Sequence, residues 1–159
     1  MPYTNSSVDG ASLFFRDCNP SESPSLDRGS SAVSTKPVLV FLHGWPMSSK
    51  MYEDLLVPLC ETHGFRCLAP DRRGFGNSDW TGSQAEEGLV VNYDTFADDL
   101  IHVLKGLKTE SGFVFVGASM GCGEGVGAFM RSECIRRHCK VTHQLTRSTG
   151  TNDSDSNRG

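Results

Sequence analysis

The sequence predicts an α/β fold, a mostly parallel sheet with helices on both of its faces. Three observations predict it. Two short, continuous apolar runs, Pro37–Leu42 (PVLVFL) and Phe113–Gly117 (FVFVG), have the character of strands buried on both faces of a parallel sheet. An amphipathic stretch over Thr95–Leu107 precedes the second run. The order along the chain is strand, helix, strand, helix, strand, helix, and right-handed crossovers lay such helices on both sides of the sheet.

The elements follow in chain order. Ala11–Asp17 (ASLFFRD) carries Leu13, Phe14 and Phe15 and reads as an early strand paired with residues around Tyr3. Residues 18–36 form the next unit; from Asn19 on they are dominated by Ser and Pro with Gly29, a composition that buries little apolar surface and predicts a long exposed loop. Pro37–Leu42 is the first central strand. From Ser48 to His63 the apolar residues Met51, Leu55, Leu56 and Leu59 fall near helical spacing. Pro58 should kink that helix or end it early, and Gly64 closes it. Phe65–Ala69 (FRCLA) is a second strand, and Pro70-Asp71 turns it into the glycine-rich loop at 74–76. In the helix over Thr95–Leu107, Thr95-x-x-Asp98 is a capping signature, and Phe96, Leu100, Val103, Leu104 and Leu107 make one apolar stripe. Asp98 and Asp99 lie in its first half, where carboxylates suit the helix dipole without any catalytic role. Phe113–Gly117 is the third buried strand.

With 159 residues and 37% hydrophobic content, one compact unit with its own core is expected. The formal net charge of −4 argues against nucleic acid or an anionic membrane as partner and favours small, uncharged substrates. The longest apolar run, Val38–Leu42, falls far short of the about 20 residues a membrane helix needs. The opening residues MPYTNSS show no basic stretch followed by an apolar one, so a cytoplasmic location is the expectation. Six cysteines, at 18, 60, 67, 122, 134 and 139, have no C-x-x-C spacing and read mostly as buried free thiols. Cys134, His138, Cys139 and His143 are poorly spaced for zinc, so no metal site is expected.

Chemistry begins at Gly117-Ala118-Ser119-Met120-Gly121, a G-x-S-x-G run directly after a buried strand and directly before a helix. Such a turn is so tight that side chains two positions either side of the serine would strike neighbouring backbone, which calls for glycine at 117 and 121. It lifts the Ser119 hydroxyl above the carboxyl ends of the strands, in front of a helix N-terminus that favours negative charge. His43-Gly44-Trp45-Pro46 follows the first central strand, where a loop can aim a backbone N–H at the serine. The N–H groups of Trp45 and Met120 are the natural pair for an oxyanion hole.

Four collinear segments carry a family resemblance: His43-Gly44-Trp45-Pro46, Asp71-Arg72-Arg73-Gly74-Phe75-Gly76-Asn77-Ser78, Tyr93-Asp94-Thr95-Phe96-Ala97-Asp98-Asp99-Leu100 and Gly117-Ala118-Ser119-Met120-Gly121-Cys122-Gly123-Glu124. In order and spacing the chain resembles α/β-hydrolases of the non-haem, cofactor-free chloroperoxidase and esterase branch over roughly residues 11–140. The resemblance implies an eight-stranded sheet, a Ser-His-Asp triad without cofactor, and hydrolysis or perhydrolysis of small ester or acyl substrates. It assigns Ser119 as nucleophile, Trp45 and Met120 as oxyanion donors, and His43 and Gly44 as shapers of the oxyanion loop. His-Gly-Trp-Pro also resembles the epoxide hydrolases, but those carry an aspartate nucleophile where this chain has Ser119.

In the family the triad order is Ser, then Asp or Glu, then His. After Ser119 the acids are Glu124, Glu133, Asp153 and Asp155 and the histidines His138 and His143. Glu133 would stand about 20 Å away along a helix rising ~1.5 Å per residue. Glu124, on the same outgoing helix, suits a surface or packing role. His138 and His143 are expected on the wrong side of the sheet, and His43 is the one histidine near Ser119. The fold is therefore expected as the N-terminal part of an α/β-hydrolase, with later strands and the triad acid and base missing and activity strongly impaired. The domain is set at residues 1–140. Residues 141–159 (VTHQLTRSTGTNDSDSNRG), without apolar periodicity, are expected as a disordered tail, a read-through or frameshifted extension where a strand should begin. The strand before Ser119 would then be an uncovered sheet edge, open to association.

Two other classes are weighed. Gly117-x-x-x-Gly121-x-Gly123 after a strand also reads as a dehydrogenase glycine motif, but it follows the last evident strand, and neither Tyr52 nor Tyr93 has a lysine four residues on. A non-catalytic module binding acyl ligands or a related chain is selected by nothing positive in the sequence.

Overall fold

In the computed structural model, residues 2–20, 36–107 and 112–144 are described. Most of the expected loop over 18–36 and the tail beyond 144 lie outside them. Six strands form one sheet: β1 (Tyr3–Asn5), β2 (Ser12–Cys18), β3 (Val38–Leu42), β4 (Cys67–Pro70), β5 (Phe113–Gly117) and β6 (Cys139–Gln144), in spatial order β1-β2-β4-β3-β5-β6. β1 and β2 join antiparallel, as the early strand near Tyr3 suggests, while β4, β3, β5 and β6 run parallel. Cys18 closes β2 and so belongs to the sheet, not to the loop the composition suggests.

Alternation along the strands divides the core between two faces. Val38, Val40, Leu42, Leu68, Phe113 and Phe115 pack against helix α2 (Tyr93–Gly106) and the following helices α3 (Met120–Arg131) and α4 (Glu133–His138), through Leu100, Val103, Leu104, Ala128 and Ile135. On the other face Phe41, Cys67 and Ala69 meet Tyr52 and Leu56. The parallel sheet is thus covered on both sides, as its continuous apolar strands require.

Three elements depart from the sequence reading. The helix after β3 is a 3-10 turn (Ser49–Tyr52), then α1 (Glu53–Val57), then a π turn (Pro58–Thr62), so Pro58 widens the helix rather than ending it. Its buried residues include Tyr52, Leu56 and Cys60, whereas Met51 and Leu55 are exposed. The buried stripe is set by Tyr52, whose hydroxyl donates to the Leu42 carbonyl at 2.9 Å.

The cap of α2 is Asn92 rather than Thr95. Its side chain accepts from the Asp94 and Thr95 N–H groups, and the Thr95 hydroxyl in turn accepts from the Asn92 N–H. Finally, residues 139–144 form β6, parallel to β5 along its full length. A strand does begin near residue 141, and β5 is not an uncovered edge. Short-range periodicity misses β6 because its pairing with β5 joins distant segments and leaves no local pattern.

Candidate active site

The register of the sheet places two loops side by side. Leu42, the last residue of β3, stands opposite Gly117, the last of β5, so the loops leaving both strands emerge at the same carboxyl edge. The Ala118 N–H donates to the Leu42 carbonyl at 2.9 Å and continues the ladder one step past β5. Ser119 follows with φ 50° and ψ −117°, the non-glycine residue with positive φ among the described residues. That conformation costs on the order of 1–3 kcal/mol for a residue with a side chain. The turn is held by the Gly121 N–H on the Ala118 carbonyl at 2.9 Å and the Cys122 N–H on the Ser119 carbonyl at 3.0 Å, and α3 begins at Met120.

Glycine is required on both sides. A Cβ at Gly117 would lie 2.8 Å from the Cys122 nitrogen, and one at Gly121 would lie 2.2 Å from the Leu42 carbonyl oxygen. The His43–Pro46 loop closes on the same turn, since a Cβ at Gly44 would lie 3.2 Å from both the Ser119 Cβ and the Ala118 carbonyl oxygen. The Met47 N–H bonds the Gly44 carbonyl at 2.9 Å and folds this loop over. Met120, as the first residue of α3, has an N–H that the helix cannot pair. Among the described residues no protein acceptor takes the N–H of Met120 or of Trp45.

His43 lies beneath this loop, buried, with both ring nitrogens engaged. Its Nε2 accepts from the Arg72 backbone N–H at 2.9 Å, so the proton sits on Nδ1, which donates to the Gly44 carbonyl at 2.9 Å. Burial holds the ring below its ordinary imidazole range, so it is neutral near pH 7. A ring fixed in this way orients Gly44 and has no lone pair left to take a proton from Ser119.

The loop over residues 71–78 is tied in by charges that local sequence reading leaves unassigned. Asp71 accepts from the backbone N–H groups of Ser49 at 2.6 Å and Asn77 at 2.9 Å. Arg72, flanked by the rings of Phe75 and Phe96, donates Nε and Nη2 to Glu124 at 2.9 and 2.7 Å, and Nη2 also to the His43 carbonyl at 3.0 Å. Of the surface and packing roles expected for Glu124, the structure shows the packing one, a buried partner of Arg72 beside the His43–Pro46 loop. Burial pushes its carboxyl up, against the pull of Arg72. Arg73 is also fully buried, paired to Asp9 at 2.7 Å and to Asp99 at 2.8 Å. Asp98, by contrast, faces Arg131 of α3 near the surface. Only a signal such as two adjacent arginines after a buried strand hints at this network, because its partners lie far off in the sequence.

Of the remaining acid and base candidates, Glu133 and His138 are engaged within α4. Glu133 pairs with Arg137 within α4, and the His138 ring meets the Cys134 carbonyl at 2.7 Å. His143 is a correction: the β5–β6 register sets it opposite Val116, at the carboxyl half of β6 and thus at the Ser119 end of the sheet. Asp153 and Asp155 lie outside the described residues. The thiols are also less buried than expected: Cys60 and Cys67 are buried, Cys18, Cys122 and Cys139 half-buried and Cys134 exposed.

Comparison with known proteins agrees with this fold. The family profile described as alpha/beta hydrolase fold matches residues 37–131. The AB hydrolase superfamily protein YisY of Bacillus subtilis is 40% identical over 52% of this chain and 28% of its own length. The non-heme chloroperoxidase CPO-A1 of Kitasatospora aureofaciens and the bifunctional esterase/perhydrolase DCH of Acinetobacter calcoaceticus are each 34% identical over 73% of this chain and 34% of theirs. Among solved structures, an esterase from Exiguobacterium antarcticum superposes with TM-score 0.60 at 25% identity, covering 81% of this chain and 39% of that one. The chain spans about a third of the length of these curated relatives.

Proposed function

We propose, on the premise that this chain belongs to the α/β-hydrolase family, that it carries the nucleophile half of a site for hydrolysing small ester or acyl substrates. Ser119 attacks the acyl carbonyl, and the N–H groups of Trp45 and Met120 receive the negative charge that develops on its oxygen. The observation that carries this reading is the strained Ser119 backbone at the end of β5, with Gly44 packed against it. The amide dipoles of α3 add to the same field. Water resolves the acyl-enzyme in hydrolysis, and hydrogen peroxide takes its place in perhydrolysis, an activity that the name of the DCH relative carries. An open depression of about 470 Å³ lined by Pro46, Met47, Ser48, Lys50, Met51 and Gly76 adjoins the His43–Pro46 loop.

The proton from Ser119 has no acceptor among the described side chains. His43 is fully engaged, and Glu124 is paired with Arg72. An alcohol without a base stays protonated at pH 7 and is a weak nucleophile. The 159-residue chain by itself is therefore expected to react slowly, with the oxyanion donors alone giving up to about 10³–10⁴-fold over water. The test is labelling with a fluorophosphonate and turnover of a short-chain nitrophenyl ester. Slow fluorophosphonate labelling that maps to Ser119 and disappears in Ser119→Ala is the expected result. Labelling that is unchanged in Ser119→Ala would sink the assignment.

A further inference from the structure

Far from Ser119 in sequence, the end of β2, the π turn and the start of β4 bring three thiols together. We propose that Cys18 and Cys60, with the carboxylate of Glu61, form a site for a thiophilic divalent cation of the zinc class. The two sulfurs and a carboxylate oxygen of Glu61 all lie within 4.8 Å of one another. Two sulfurs bound to one tetrahedral ion at ~2.3 Å stand about 3.8 Å apart, a separation that falls inside the observed limit of 4.8 Å. The cluster runs from the buried Cys60 through the half-buried Cys18 to the exposed Glu61, which gives the ion a path inward. Three protein donors leave a fourth position for water, the pattern of an exchangeable ion and not of a closed structural one.

Cys60 and Cys18 share a hydrogen bond, and Cys67 stands opposite Cys18 in the β2–β4 register. The Cys67 S–H already donates to the Phe65 carbonyl at 3.6 Å, which leaves Cys18 and Cys60 as the available pair. Binding then replaces two S–H bonds by two metal–sulfur bonds and releases the two protons to solvent. Cys18 and Cys60 are too distant in the sequence for any ligand spacing to announce this site, which stands independently of the hydrolase reading.

The test titrates the full, reduced chain with Cd²⁺ and follows the sulfur-to-cadmium charge-transfer band in the ultraviolet. One ion per chain, two protons released, and protection of Cys18 and Cys60 from alkylation while Cys134 still reacts are expected. Cys18→Ala, at a half-buried position, should remove the band while far-ultraviolet circular dichroism is kept. Glu61→Gln should weaken binding about tenfold, and Cys134→Ala should change nothing. A missing band, a band that survives Cys18→Ala, or one lost in Cys134→Ala overturns the proposal. If Cys60→Ala does not fold, Cys18→Ala and Glu61→Gln decide the matter.

Discussion

At residue scale, the site is built from positions where no other side chain fits. A methyl group at Gly121 would meet the Leu42 carbonyl oxygen, part of the rigid β3 backbone, at 2.2 Å. Gly121→Ala is expected to cost about 1–3 kcal/mol or more by overpacking, lowering the urea midpoint and abolishing fluorophosphonate labelling together. An unchanged midpoint would mean that the turn can relax. Arg73 makes a second prediction. Burial tends to raise the Asp9 carboxyl, but the Gly82 N–H, the Arg73 guanidinium and the Ala11 N–H overcome it and hold the group below its ordinary 3.8. A carboxylate lowered in this way contributes stability above its unfolded value, and that stability is lost as pH falls through the folded value. Urea midpoints should drop as pH is lowered past 3.8, and Asp9→Asn should flatten this part of the profile. A profile identical in both proteins would remove Asp9 from the acid response.

At the scale of elements, the start of α2 is held by a reciprocal pair of hydrogen bonds between Asn92 and Thr95. Asn92→Ala is expected to cost about 1 kcal/mol, the ordinary value of a lost cap, measurable as a lower urea midpoint with the m-value unchanged. The same helix sends Asp99 inward to Arg73 and Asp98 outward to Arg131. Neighbouring carboxylates on one helix thus do different work because successive residues point about 100° apart. The segment after β3 shows the reverse dependence. There the Tyr52 hydroxyl on the Leu42 carbonyl sets which side of the helix is buried, and Met51 and Leu55 are left outside.

At the scale of the whole molecule, the buried charges tie distant parts of the chain to the loop at 71–78. Arg73 joins the β1–β2 turn to α2, and Arg72 joins the His43–Pro46 loop to α3. Removing one member of such a pair typically costs about 3–5 kcal/mol, because the other stays buried and uncompensated. The sheet ends at β6 on one side among the described residues. A strand at that position offers unpaired N–H and C=O groups to other chains. Concentration-dependent association is the expected behaviour in sedimentation velocity, and a single monomer boundary at all concentrations would contradict it. Among the described residues, no helix is long and apolar enough to cross a membrane.

The amino-acid sequence by itself determined the parallel sheet, the amphipathic face of α2 and the glycine-flanked turn at Ser119. Each of these is written in contiguous residues: an apolar run, a 3.6-residue period, a G-x-S-x-G spacing. Only the tertiary structure decided the rest. It turned His43 into a fixed, neutral support of Gly44, put Glu124 and Asp99 in buried ion pairs, and brought β6 against β5. It also gathered Cys18, Cys60 and Glu61 in one place. The physical reason is the same in every case: a hydrogen bond, an ion pair or a strand pairing between distant segments leaves no local pattern, because what satisfies each group is a partner that only the folded chain brings within reach.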